Sequence, residues 1–270
     1  STEPILGVTW DGAGYGDDKQ VWGGEFFVYE NNDIQRLAHI DYYPQLLGDK
    51  MNREPRLSAL SLLKNFPAKQ SVIRTHFSDT EWKYYEQLIE QPPVLLTSSM
   101  GRLIDAIASL TGACQINTFE GEAAMKLEAM ARACELPMHE YYPVPQNNNR
   151  LDLSLLLQEV LNDIDNHAGQ EFIAKKFFYS LARLIGQVSN HYEIDEIAFS
   201  GGVFQNALLT DMVNELYSKK KKLYWHRQLS PNDECIGFGQ LAVYDLLKQN
   251  ENQNSFNTDL LKLPETNFNF

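Results

Sequence analysis

Three glycines at alternate positions between two apolar runs constrain this chain more than any other stretch of it. Asp11-Gly12-Ala13-Gly14-Tyr15-Gly16-Asp17-Asp18 separates Ile5–Trp10 from Val21–Tyr29. Glycines there remove Cβ atoms where backbone must approach another group closely and permit positive φ. A third run, Ile34–Ile40, follows the turn Glu30-Asn31-Asn32-Asp33. Three short strands joined by tight connections predict a β-meander. The amides of the glycine turn can form an anion-binding nest for phosphate, and Asp11, closing the first strand, is placed to hold a cation beside it. A plain glycine-rich hairpin with solvated aspartates accounts for the same residues.

Beyond Pro44 the pattern turns helical. Arg56–Phe66 sets Leu57, Leu60 and Leu62/Leu63 on one face, and Ser78–Ile89 opens with the cap-like Ser-Asp-Thr-Glu. Residues 44–93 therefore read as a helical insertion. Ser98 and Ser99 predict the cap of a helix running to about Leu110, with Leu103, Ile104, Ile107 and Ala108 as its buried stripe. A further helix from about Glu122 carries Ala123, Leu127, Ala131 and Cys134. Tyr141–Arg150, rich in Pro and Asn, reads as a loop. His167–His191 forms a long helix with Ile173, Phe177, Leu181, Leu184 and Val188 on one side. Glu196–Ser200 is a buried-strand pattern running into Gly201-Gly202 and a helix over Asn206–Leu216. Leu223–His226 predicts a strand and Gly237–Lys248 a last helix, before a polar tail over 249–270. The order is β-β-β, helices, then β-α-β-α, a mixed α/β fold without internal repeat.

Charge and cysteine usage narrow the function. The formal net charge is −13, so an electrostatic grip on nucleic acid or anionic lipid is disfavoured. An anionic nucleotide would need backbone amides, a helix N-terminus or a metal ion. No unbroken apolar stretch is long enough for a membrane span, and no basic-then-apolar leader opens the sequence. Cys114, Cys134 and Cys235 are odd in number and far apart, which points to a reducing, cytoplasmic setting. The six histidines include no HExxH or HxxxH pair, so a metal must rest on carboxylates or on ligands from elsewhere.

Four segments carry candidate chemistry. The first is the Asp11–Asp18 turn. In Ser200-Gly201-Gly202-Val203-Phe204-Gln205-Asn206 a strand meets a helix, exposing amides that suit a phosphate or a nucleotide edge, with Asn206 one turn in. Helix capping and tight strand–helix packing explain that segment equally. Ser98-Ser99-Met100-Gly101-Arg102 leads to Asp105, whose carboxylate can accept hydrogen bonds from ribose hydroxyls. In Pro231-Asn232-Asp233, Asp233 either caps the final helix or ligates a metal. The run Lys219–Lys222 reads as a solvated cluster that complements a helix C-terminus.

In this order, Asp11–Phe27 (DGAGYGDD then WGGEFF), Arg53–Arg56 (REPR), Ser98–Leu110 (SSMGRLIDAIASL), Phe119–Glu128 (FEGEAAMKLE), Ser200–Asn206 (SGGVFQN) and Pro231–Gln240 resemble the C-terminal part of the HypF carbamoyltransferases. That family serves nickel–iron hydrogenase maturation. The resemblance implies the second lobe of an actin-like ATPase fold of the sugar-kinase and Hsp70 type. Residues 1–43 and 94–248 would form the nucleotide-binding lobe. Gly12, Gly14 and Gly16 would face phosphates, Gly101 and Asp105 the ribose, and Gly201, Gly202 and Asn206 the nucleotide edge.

Asp11 and Asp233 would ligate a divalent metal: iron, zinc or magnesium. The family's metal site also uses a His-x-x-x-His pair upstream of the glycine turn, which is not present here, and Glu234-Cys235 replaces the usual glycine pair. The implied reaction moves carbamoyl from carbamoyl-adenylate, made from carbamoyl phosphate and ATP, to the C-terminal cysteine of a HypE-like acceptor protein. None of the three cysteines here would be the nucleophile. The chain is expected to be a fragment holding half of that site, inactive alone. A small-molecule O-carbamoyltransferase and a non-catalytic nucleotide-binding or interaction module are the alternatives.

Overall fold

A computed structural model describes residues 3–246 and 248. The expected tail over 249–270 lies outside the described residues. The chain divides into two compact units, Ser1–Asn232 and Asp233–Phe270.

The first unit opens with β1 (Ile5–Tyr15), β2 (Val21–Glu30) and β3 (Asp33–Ile40). The meander is as expected, but β1 continues through Asp11–Tyr15 instead of stopping at Trp10. Its pairing with β2 is irregular between Trp10 and Gly14 and then resumes at Gly14↔Trp22 and Tyr15↔Val21. The glycines thus build the arm of a hairpin, and the reversal itself falls at residues 16–20. In the interior part of β1, Leu6, Val8 and Trp10 are buried at alternate positions, as a half-buried strand requires.

The chain continues through β4 (Tyr43–Pro44) and α1 (Asp49–Arg53) to α2 (Pro55–Leu62), α3 (Ser71–Arg74) and α4 (Asp79–Glu90). The helix expected over Arg56–Phe66 gives way to a 3-10 turn at Leu63–Asn65, ahead of Pro67. Ser78 and Glu81 form a complete capping box on α4, fixing its start. Then come β5 (Leu96–Thr97), which pairs with β2 and β4, and α5 (Met100–Leu110). Helix α6 spans Glu122–Arg132.

The stretch expected to be a loop over Tyr141–Arg150 holds two short strands, β6 (Gln146–Asn147) and β7 (Arg150–Leu151), and β7 extends the sheet beside β3. Helix α7 (Ser154–Asp165) has no counterpart among the expected elements. Helix α8 (Gln170–His191), β8 (Glu196–Ser200), α9 (Ala207–Tyr217) and β9 (Lys222–Tyr224) follow.

The main sheet runs β6-β7-β3-β2-β1-β8-β9. β1, β2 and β3 are antiparallel neighbours, whereas β8 pairs parallel with β1, and β9 with β8. β1 therefore joins the antiparallel meander to a parallel pair of strands. Helix α5 contacts β1, β2, α2 and α6, α6 packs on α8, and α8 on α9. The expected stripes of α5 and α8 are all buried. On α8 burial extends to Ala174, Phe178 and Ile185, because α6, α7 and α9 all pack against it. In the second unit Asp233–Cys235 is a 3-10 turn and residues 236–246 are helical.

Candidate functional site

Three connections meet where β1 and β8 run out side by side, paired as far as Thr9↔Ser200. After Ser200 the chain turns at Gly201, with φ of 103°. A Cβ there would lie 2.0 Å from the Trp10 carbonyl oxygen, so both the conformation and the close approach demand glycine. A Cβ on Gly202 would lie 3.2 Å from Asp11 Oδ1. The helix expected over Asn206–Leu216 is present, separated from these glycines by a further turn. Gly202–Gln205 is a 3-10 turn, and α9 proper begins at Ala207 under Asn206. Asn206 is 8% exposed and its Oδ1 accepts the Leu209 amide hydrogen at 2.9 Å, which is the work of an N-cap.

Across β1 from β8 stands the start of α5. Ser99 caps it: its Oγ accepts from Arg102 N at 3.1 Å and lies 3.0 and 2.7 Å from the carbonyl oxygens of Asp11 and Gly12. One hydroxyl thus ties the irregular part of β1 to the first turn of the helix. A Cβ on Gly101 would sit 2.8 Å from Gly12 Cα, so these two residues let strand and helix backbones touch. Behind them Ser98 donates to Glu25, which is 2% exposed and also accepts from the amides of Gly23 and Gly24 and from Arg36. Burial raises the Glu25 pKa against those donors. Arg36 continues the network to Tyr42, whose hydroxyl donates to Asp18 at the hairpin end.

Arg102 is the residue that the sequence reading passes over. An ideal Cβ on Gly12 would lie 3.3 Å from Arg102 Nη2, so the guanidinium covers Gly12. Its Nη1 lies 2.6 Å from Asp105 Oδ2. That contact is off the hydrogen-bond axis, and Arg102 Nε and Nη1 and Asp105 Oδ2 have no hydrogen-bond partner among the described residues. Asp105 is 3% exposed, and burial lifts its pKa to about 6 although Arg102 pulls it down. The expected ribose carboxylate therefore faces Arg102 inside the lobe. The i, i+3 spacing of Arg102 and Asp105 was the available sign of this pair.

The structure gathers Asp11, Gly12, Gly101, Asp105, Gly201 and Gly202 at one edge. Gly14 and Gly16 lie farther out on the hairpin: a Cβ on Gly14 would be 3.4 Å from the Trp22 carbonyl oxygen, and one on Gly16 would strike the Trp22 indole at 2.2 Å. That indole bonds to Asp18 and lies under Arg36. Asp233 belongs to the second unit. Asp11 Oδ1 accepts the Gly12 amide hydrogen at 2.7 Å. Among the described residues no group of three or more His, Cys, Asp or Glu side chains is arranged to hold a metal ion. Taken alone, the described residues offer no complete ligand set for a metal.

The fold is that of an α/β lobe of the Kae1-like, actin-like class. Residues 7–240 match the family described as carbamoyltransferase, Kae1-like domain, second subdomain, and the chain belongs to that family of HypF carbamoyltransferases. Carbamoyltransferase HypF of Synechocystis sp. is 35% identical over 264 residues, covering 89% of this chain and 34% of the relative. Probable carbamoyltransferase HypF of Methanocaldococcus jannaschii is 28% identical over 249 residues, covering 87% and 32%.

Among solved structures, full-length HypF in the phosphate- and nucleotide-bound form superimposes with a TM-score of 0.79 at 27% identity, covering 90% of this chain and 40% of that one. HypF of T. kodakarensis gives 0.76 at 28% identity, covering 92% and 34%. The chain spans about a third of the length of the curated relatives named here. No helix among the described residues is long and apolar enough to cross a membrane.

Proposed function

We propose that this chain supplies the second-lobe half of a nucleotide site in a cytoplasmic carbamoyltransferase. The observation that carries the reading is the meeting of the Asp11–Gly12 backbone, the Gly101–Arg102 helix start and the Gly201–Gly202 turn at one strand end. In doubly wound sheets ligands sit at such strand ends. Gly12, Gly101, Gly201 and Gly202 would let the three segments close on one another, forming the edge beside which ATP or carbamoyl-adenylate lies. Gly14 and Gly16 would hold the hairpin beside the phosphates, and Asn206 would steady the start of α9.

The Arg102 guanidinium has unfilled donors and would turn toward a phosphate oxygen, with Asp105 as its positioning carboxylate. An arginine can meet two phosphate oxygens at once. Asp11 is the first-unit candidate for a metal ligand, and its pairing with Asp233 rests on the family resemblance alone.

In the proposed reaction, the C-terminal thiolate of a HypE-like acceptor attacks the carbamoyl carbon of carbamoyl-adenylate. A C–S bond forms, the C–O bond to the adenylate breaks, and AMP leaves with the electron pair. The nucleophile and the carbamoyl-adenylate-forming machinery come from outside this chain, so Cys114 and Cys134, both buried, take no part.

Titration calorimetry with ATP tests the half-site. Weak binding is expected, with Arg102→Gln losing at least about tenfold, the worth of one charge-assisted contact. Equal affinity in the variant removes Arg102 from the site, and no binding at all by the native chain removes the half-site. Carbamoyl transfer by this chain alone would contradict the division of labour.

A further inference from the structure

The described part of the first unit contains a cavity that the nucleotide edge does not use. It measures 420 Å³ and lies against α8, the segment at Tyr141–Val144 and the C-terminal end of α9. Tyr141, Arg183, Gln187, Asn190, Tyr217 and Lys220 give it its character. That volume falls within the usual range of small-molecule sites.

Its electrostatics run against the rest of the molecule. The chain carries 36 acidic residues and a formal net charge of −13, yet none of the residues lining this cavity is acidic. Arg183 and Lys220 both line it, and neither forms an ion pair among the described residues. Their neighbours are paired: Lys221 with Asp195, Lys222 with Glu196, and Lys176 with Asp163. The lysine run that reads in sequence as a solvated cluster is thus divided. Two of its members neutralise the strand region beside them, while Lys220 faces the cavity.

The walls are shaped for a ligand with a flat or apolar body. The Arg183 guanidinium carbon stands 4.7 Å from the Tyr141 ring centroid, a stacking that holds the guanidinium in place. The Tyr217 side chain fills the space over Gly186, where any Cβ would lie 2.1 Å from its hydroxyl oxygen. Gly186 is therefore the residue that allows Tyr217 to lie down on α8. Gln187 donates to the Val144 carbonyl at 2.9 Å, bracing the opposite wall.

We propose that this cavity binds a small phosphomonoester, its phosphate held by Arg183 and Lys220 and its body resting on Tyr141 and Tyr217. Two cations without carboxylate partners match a dianion better than a monocarboxylate, and the arginine fork suits phosphate geometry. The site is independent of the nucleotide edge and of the function proposed for it.

Phosphorus NMR and calorimetry on the whole chain would use three probes: phenyl phosphate, inorganic phosphate and benzoate. Phenyl phosphate is expected to bind most tightly, inorganic phosphate more weakly and benzoate least. Inorganic phosphate binding as well as phenyl phosphate would assign the site to the free anion and remove the ester. Lys220→Glu, at an exposed position that leaves folding intact, should lower phenyl phosphate affinity at least tenfold. Arg183→Gln should do the same, while Arg183→Lys retains part of it. Failure of both phosphate probes to bind, or affinity unaltered by Lys220→Glu, overturns the proposal.

Discussion

Replacing Gly201 by alanine separates backbone strain from steric collision at the heart of the candidate site. Gly201 has φ of 103° and ψ of 152°, a region that is nearly glycine-only and costs other residues about 1–3 kcal/mol. The new Cβ would also meet the Trp10 carbonyl oxygen at 2.0 Å, and forced backbone displacement of that kind adds about 1–3 kcal/mol. The two together come to about 4 kcal/mol, a large part of a typical total stability of about 5–15 kcal/mol.

Gly121 supplies the control. It too has positive φ, 78°, but a Cβ there meets nothing within 4 Å, so Gly121→Ala should cost only about 1–2 kcal/mol. Urea unfolding followed by tryptophan fluorescence reads both, since Trp10 is buried and stacked 5.5 Å from Phe204. With a slope of about 3 kcal/mol/M, the midpoint should fall by about 1.3 M for Gly201→Ala and about 0.3–0.7 M for Gly121→Ala. Nucleotide affinity should fall only in the first. Equal midpoint shifts would refute the claim that Gly201 is fixed by its contact with β1.

Two further outcomes follow from buried carboxylates. Asp105 has its folded-state pKa raised from 3.8 to about 6, so its contribution is fully present below pH 3.8 and is lost as pH rises through about 6. The native chain should lose about 3 kcal/mol over that window, at about 1.4 kcal/mol per pH unit, and Asp105→Asn should flatten that part of the profile in urea titrations at successive pH values. A native profile that stays level from pH 4 to 6 would contradict it. Glu25→Gln turns one acceptor oxygen into an N–H donor amid donors from Gly23, Gly24, Ser98 and Arg36. It should cost about 2–3 kcal/mol in chemical denaturation, and a neutral effect would show that the network is not carried by the charge.

The meander, α5, α8 and β8 were legible because each keeps one period of apolar residues long enough to be read. Helix α7 carries the same signal in Leu156, Leu157, Val160 and Leu161, all buried, but it lies next to a Pro- and Asn-rich stretch that draws attention to loops. β6 and β7 span two residues each. Their pairing depends on β3, far away in sequence, so no local pattern announces them. In the site, the glycines were legible as places of close approach, yet sequence leaves open what approaches. For Gly16 it is Trp22, for Gly101 it is Gly12, and for Gly201 it is the Trp10 carbonyl. Asn206 caps α9, and Arg102 emerged only when α5 was laid across β1.

The central position of β1 bears on how the candidate site withstands thermal motion. This one strand is hydrogen-bonded on one flank to β2 and on the other to β8, and the Ser99 hydroxyl reaches its carbonyls from α5. Sliding or bending of β1 therefore carries the Gly12, Gly101 and Gly201 segments together. Their mutual spacing is insulated from the sheet's softest deformations, as with instruments bolted to a single rail.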